Sequence, residues 1–144
     1  FITVATTRPE TLLGDMAIAV HPDDKRYKEY IGKDVELPLC NIKIPIISDD
    51  YVDMDFGSGA VKITPGHDFN DYEIGKRHGL SMDSKNNIIQ GDESSFEPIS
   101  VLDKHAKICG CAPKNFHELN RFEARKKILA NLESEDLIAG IEEY

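Results

Sequence analysis

Cysteine is scarce in this chain: Cys40, Cys109 and Cys111 are the only three among 144 residues. An odd, irregularly spaced set does not make a disulfide scaffold, and a reducing compartment, the cytoplasm, is expected. Long apolar runs are missing too. No stretch approaches the roughly 20 residues that span a bilayer, and Phe1-Ile2-Thr3-Val4 lacks the basic region and length of a signal peptide. Basic residues are outnumbered, with 17 Lys and Arg against 26 Asp and Glu, a net charge of −9 and a pI near 5.0. That balance argues against a free-standing domain gripping long nucleic acid, since such affinity comes from neutralising phosphates. Recognition of one nucleotide or of a single-stranded end stays open. The P-loop spacing Gly-x-x-x-x-Gly-Lys-Ser/Thr is absent, as are a Gly-x-Ser-x-Gly elbow and a catalytic-cysteine signature, so a hydrolase built on this chain is expected to use water as its nucleophile. The chain lacks an initiator methionine and opens within a strand-like pattern. It therefore reads as a piece of something longer, a single domain over 1–144 with an insertion at about 81–118.

What is present centres on Gly57-Ser-Gly-Ala-Val-Lys-Ile-Thr-Pro-Gly-His-Asp-Phe-Asn-Asp71. A glycine-rich turn leads through a short apolar strand, Ala60 to Thr64, and over a Pro-Gly corner into a helix. Asp68 is the expected N-cap, Asp71 lies three residues on, and the helix is expected to run to Lys76-Arg77-His78 and stop at Gly79, in keeping with capping and dipole rules. The positive helix end should lower both carboxylate pKa values and make Asp71 a permanent anion, suited to holding an ammonium. Both aspartates are equally consistent with plain helix capping.

Elsewhere, Phe1 to Thr6 alternates like a strand. Thr7 and Glu10 have capping-box spacing around Pro9, predicting a short helical turn that ends at Gly14. It leaves Thr6, Thr7 and Arg8 at a strand-to-helix junction that could meet an anion. Met16 to Val20 reads as a strand closed by His21-Pro22, and Asp23 to Ile31 as a charged surface helix with Tyr27, Tyr30 and Ile31 inward, stopped by Gly32. Val35 to Leu39 and Ile42 to Ile47 are strand-like, and Pro38 and Pro45 suggest edges or bends in them. An acidic stretch, 49–56, leads into the central segment. Ile88-Ile89 looks like a strand within a loop, Asn120 to Ser134 like a helix with Phe122, Ala124, Ile128, Leu129 and Leu132 on its apolar side, and Leu137 to Ile141 like a closing strand. Scattered short strands and helices without regular alternation favour an α+β or barrel-like fold.

Two constellations suggest metal. His67-Asp68 resembles the metal-binding pair of some phosphohydrolases, and His105, Cys109, Cys111 and His117 could supply four zinc ligands. The first pair lacks further histidines at helical spacing, and Cys-x-Cys is tighter than the usual zinc gap, so no metal is expected.

Thr6-Thr7-Arg8-Pro9-Glu10-Thr11-Leu12-Leu13-Gly14-Asp15, followed by Ala17-Ile18-Ala19-Val20-His21-Pro22, resembles the threonine-rich signature of the editing domain inserted into valyl-tRNA synthetases. Gly57 to Asp68, Asn70-Asp71-Tyr72-Glu73, Gly75-Lys76-Arg77-His78 and Arg121-Phe122-Glu123-Ala124-Arg125 extend the resemblance over 1–79 and roughly 119–144. It implies an α+β fold, a β-barrel core with peripheral helices, that hydrolyses threonine wrongly esterified to valine tRNA. By the same resemblance, Asp71 would hold the α-ammonium of the substrate, and Arg8 and Phe56 the terminal adenosine. Lys62 and Thr64 would face the aminoacyl group with Asp68 and Thr7 close by. Thr6, Asp53, Gly57 and His67 complete the expected pocket, Asp53 standing where relatives are expected to carry glutamate. No cofactor is implied, ATP and magnesium belonging to the separate catalytic domain of a parent synthetase. The implied partners are the tRNA 3′ end and the rest of that parent, the fragment itself being monomeric. The isoleucyl and leucyl editing domains share the glycine-rich turn. An isoleucyl editing domain, a non-catalytic tRNA-end binding module and a metal-dependent hydrolase are the alternatives.

Overall fold

A computed structural model of the chain describes residues 2, 4, 9–37, 42–99 and 119–134. A 3₁₀ turn, Pro9–Gly14, occupies the position expected of the helical turn. It leads into β1, Ala17–Val20, all four of whose residues are buried. β2 is Asp34–Leu37, β3 Ile42–Ser48 and β4 Ala60–Ile63. They form one sheet in the order β2-β3-β1-β4, with β1 parallel to β3 and antiparallel to β4. Helix α1, Phe69–Arg77, follows β4. Next come β5, Ser81–Met82, paired with β6, Ile88–Ile89, and α2, Arg121–Ser134. Mixed sheet and helices make the fold α+β. Among the described residues the sheet is open, and it does not close into a barrel there.

Pro45 shows how the sheet tolerates a proline in a central strand. β3 pairs with β2 over Ile42–Pro45 and with β1 over Ile46–Ser48, so the residue without an N–H stands where pairing with β1 begins, while Ile46 still bonds Gly32 and Lys33 on the β2 side. The proline marks a transition, as a bend would; the alternative expectation of an edge strand is not met.

The helix expected over Asp23 to Ile31 is reduced to turns and a 3₁₀ segment, Lys28–Tyr30, with Tyr30 exposed. The buried Asp24 carboxylate accepts the Arg26 N–H at 3.0 Å. This local bond competes with helical bonding. Gly32, at φ +88°, follows as expected.

The core gathers Met16 to Val20, Ile44, Ile46, Ile47, Ile63, Ile74 and Leu80 with Ala124, Ile128 and Leu132 of α2. The 124–128–132 spacing puts one stripe of α2 inward, against the Pro9–Gly14 turn. Phe122 departs from that stripe and is exposed. Asn120 caps α2, its Oδ1 accepting the N–H groups of Phe122 at 3.0 Å and Glu123 at 2.8 Å. Ile88 is buried and Ile89 exposed, the alternation expected of a strand. Ile2 and Val4 pack partly buried on the core but are not part of a strand; the rest of the Phe1 to Thr6 segment, the expected strand at Leu137 to Ile141 and half of the expected insertion lie outside the described residues. No described helix is long and apolar enough to cross a membrane.

Candidate functional site

The corner between β4 and α1 builds the site. Asp68 is extended, at φ −147°, and its Oδ1 accepts the Asp71 N–H at 3.0 Å, which caps α1 as expected. Asp71 does something else with its own side chain: Oδ2 accepts the Thr64 N–H at 3.0 Å, tying the first turn of the helix to the end of the strand. At the other end of α1, Leu80 N–H reaches the Gly75 carbonyl at 3.1 Å and Gly79 adopts φ +59°. A Cβ on Gly79 would stand 2.2 Å from the Gly91 carbonyl oxygen, so the turn needs glycine both for its backbone angle and for the close approach.

A cleft of about 360 Å³ opens between α1 and the 51–58 loop. Val61, Ile63 and Ile74 supply its apolar lining, Asp68, Asn70 and Asp71 its helical wall, and Tyr51, Val52, Asp53, Phe56, Gly57 and Ser58 the opposite wall. Phe56 is 62% and Tyr51 59% exposed, so both rings have free area for a planar ligand. Of the expected site residues, Asp53, Phe56, Gly57, Asp68 and Asp71 are thus brought together around one space.

Lys62 and Thr64 are elsewhere. The alternation of β4 turns Val61 and Ile63 toward the cleft and Lys62 and Thr64 to the other face, where both are buried. The Lys62 Nζ donates to Asp15 Oδ1 at 2.8 Å, Thr64 Oγ1 at 2.9 Å and Thr11 Oγ1 at 3.0 Å. All three of its protons are used. Thr64 Oγ1 donates in turn to Asp15 Oδ1 at 2.7 Å. Thr64 therefore joins two polar centres, through its hydroxyl to Asp15 and Lys62 and through its N–H to Asp71. Thr11 and Asp15, the partners of Lys62, are not among the site residues expected from the sequence. Their signal lay in the threonine-rich block itself, where two small polar residues sit inside an otherwise apolar turn-and-strand segment. His67 N–H closes a turn onto the Thr64 carbonyl at 3.1 Å, and the residue does not line the cleft. Thr6, Thr7 and Arg8 lie outside the described residues, as do His105, Cys109, Cys111 and His117. Among the described residues no cluster of three or more His, Cys, Asp or Glu is placed to hold a metal.

The electrostatics correct one expectation. Asp71 is not the permanent anion that a helix start would make it: burial pushes its pKa up to about 6. The Thr64 N–H and the Lys62 charge pull the other way, while the Asp68 and Asp15 carboxylates add to the rise. Desolvation outweighs the helix end because the carboxylate is turned in against β4 rather than out to water. At pH 7 the group is mostly ionised, an anion at working pH but within reach of titration. Burial also raises the Asp15 pKa, against the attraction of Lys62.

Comparison with known proteins now adds to the geometry. The family model described as "Leucyl-tRNA synthetase, editing domain" matches residues 23–133. The valine–tRNA ligase of Legionella pneumophila (strain Lens) is 51% identical over 144 residues, which cover 100% of this chain and 14% of that protein. That of Francisella tularensis is 49% identical over 143 residues, 99% of this chain and 14% of the relative. The chain thus spans about a seventh of the length of these relatives. The solved structure described as "The crystal structure of GlLeuRS-CP1" superposes with a TM-score of 0.66 at 14% identity, covering 98% of this chain and 82% of that one. At that identity the likeness is one of fold.

Proposed function

We propose a function from the premise that this chain belongs to the family of leucyl-tRNA synthetase editing domains: it is the editing domain of a valyl-tRNA synthetase and hydrolyses threonine misattached to valine tRNA. The similarity to valine–tRNA ligases along the whole chain supports valine over isoleucine or leucine. The need is physical. A hydrophobic synthetic pocket rejects an isostere that merely adds a hydroxyl by only ~10²-fold, the discrimination for which valine enzymes are the standard illustration, so a second site must discard the error.

The observation that carries the proposal is the half-buried Asp71 at the edge of a cleft rimmed by exposed aromatics. An ionised carboxylate there offers a counter-charge to the α-ammonium of an aminoacyl ester. Phe56, with Tyr51 near it, offers a face for the terminal adenine. Asp71 and Asn70 would orient the aminoacyl group so that water attacks the ester carbonyl; the gain comes from positioning and electrostatics, with the hydrolysed amino acid and the free ribose hydroxyl as products. Lys62 and Thr64 act in this reading from the far side of β4. Their network with Asp15 fixes the strand, and the Thr64 N–H aims Asp71. Arg8, Thr6 and Thr7 belong to the proposal through the family resemblance alone, and so does closure of the sheet into a barrel. The −9 charge fits a module that receives only a single-stranded end while the parent grips the tRNA body.

The test is deacylation by the full-length parent. Threonyl-tRNA(Val) should be cleaved and valyl-tRNA(Val) spared. A parent that cleaves neither would make this cleft a binding module, and the family membership would then describe a fold without its activity.

A further inference from the structure

The cleft wall at residues 49–59 contains no helix or strand, and Val52 is its one buried apolar side chain. Such a segment has little hydrophobic burial to hold it in one conformation. Within itself it is a series of tight turns, Val52 N–H to Asp49, Phe56 N–H to Asp53 and Gly59 N–H to Phe56, with the Asp53 Oδ1 accepting the Asp55 N–H. At its start Asp49 takes two bonds from Arg77 Nη2, at 3.0 and 2.9 Å.

Its far half is held from the 24–27 turn, a region that no motif singles out. The Arg26 guanidinium forks onto Asp24, Nε to Oδ1 at 3.0 Å and Nη2 to Oδ2 at 2.8 Å, and the same Nη2 donates to the Met54 carbonyl at 2.9 Å. The Tyr27 hydroxyl donates to the Ser58 carbonyl at 2.7 Å. The guanidinium also lies 5.4 Å from the Tyr27 ring centroid, so the two side chains brace each other. The loop backbone comes close enough that a Cβ on Gly59, itself at φ +80°, would stand 2.3 Å from Arg26 Nη2 and 3.0 Å from Asp24 Oδ2. Met54 and Ser58 bracket Phe56, and Asp53 precedes the first of them. Of these, Asp53, Phe56, Gly57 and Ser58 itself line the cleft.

We infer that Arg26 and Tyr27 are positioning residues of the cleft: by gripping the Met54 and Ser58 carbonyls they hold Asp53 and Phe56 in place to receive the terminal nucleotide of a nucleic-acid strand. This rests on the function proposed above. The grip is charge-assisted at Arg26 and neutral at Tyr27, so the first should matter more. Because neither side chain needs to touch the reacting ester, their loss should weaken capture of the substrate end and leave the chemical step nearly intact.

The experiment uses the full-length parent and threonyl-tRNA(Val). Arg26→Ala should raise KM for deacylation by about tenfold, with kcat within about twofold of wild type and valine aminoacylation unaffected. Arg26→Lys should recover part of the loss, because a single ammonium cannot fork onto Asp24 and reach Met54 as the guanidinium does. Tyr27→Phe, which removes one oxygen, should raise KM by a smaller factor. Hydrogen exchange should quicken at the amides of 53–59 and stay unchanged in α2. If Arg26→Ala unfolds the domain, Tyr27→Phe decides. A wild type that cleaves the ester while KM and loop exchange are unchanged in Tyr27→Phe and Arg26→Ala overturns the positioning role alone. A wild type that leaves threonyl-tRNA intact overturns the function and this inference with it.

Discussion

The two faces of β4 have been given opposite tasks. On one, Lys62 and Thr64 are buried with Asp15 and Thr11 in a network where every Lys62 proton has an acceptor. On the other, Val61 and Ile63 line an open cleft beside a carboxylate whose pKa is raised to about 6 and aromatic rings that stand largely in solvent. On the buried face the Lys62 ammonium has no proton left for a ligand without breaking a bond that it makes. The open face keeps unspent polar and aromatic groups, which is what a binding site requires. The contrast teaches that a lysine in a motif is not by itself a substrate contact: the pleat of a four-residue strand decides which neighbours can be.

Breaking the buried face should have the largest effect. Lys62→Met leaves Asp15 in the interior without its counter-charge, and denaturant unfolding of the chain should show a loss of about 3–5 kcal/mol, a large share of the stability of a domain this size. Adding Asp15→Leu should restore much of it, since removing both partners also removes the uncompensated charge. A Lys62→Met protein as stable as wild type would mean that the network carries no weight. The open face should respond in the opposite sense. Phe56→Ala should leave unfolding nearly unchanged, because the ring is 62% exposed, while weakening deacylation through lost stacking of about 1–3 kcal/mol, seen as a higher KM. The smallest effect belongs to the start of α1. Asp68→Ala removes the cap of α1 and should cost about 1 kcal/mol of stability, read as a modest fall in Tm.

Much of this was legible because local chemistry and tertiary structure agreed. Asp68 as cap, Gly79 as stop and the short apolar strand from Ala60 came from local pattern alone, and the helix ending at Ser134 likewise. The failures have causes that spacing does not show: burial by the tertiary fold, a partner distant in sequence, or a local bond that displaces a helix. Asp71 was expected to be acidified by its helix, yet its burial against β4 decides its pKa. Lys62 gave no hint that Asp15, 47 residues away, would claim it. Asp24 reorganised the 23–31 segment into turns by engaging Arg26, which in turn reaches Met54 across 28 residues. Pro45 reads as an edge only if a strand is assumed to keep one pair of partners along its length.

Asp71 joins the two faces through its bond from the Thr64 N–H. Its folded pKa of about 6 lies above the ordinary 3.8, so between those values the folded state holds more protons than the unfolded. This group therefore favours folding as pH falls and opposes it as pH rises through 6. Binding of an ammonium runs the other way, needing the anion and fading below about pH 6. The most direct test is deacylation of threonyl-tRNA(Val) by the full-length parent, wild type against Asp71→Asn, followed from pH 5 to 8 with unfolding measured alongside. Wild-type activity should decline below about pH 6, and Asp71→Asn should lose most activity at pH 7 and the decline with it, with stability at pH 7 equal or higher. An Asp71→Asn protein that remains folded and cleaves threonyl-tRNA at the wild-type rate would contradict the ammonium-binding role.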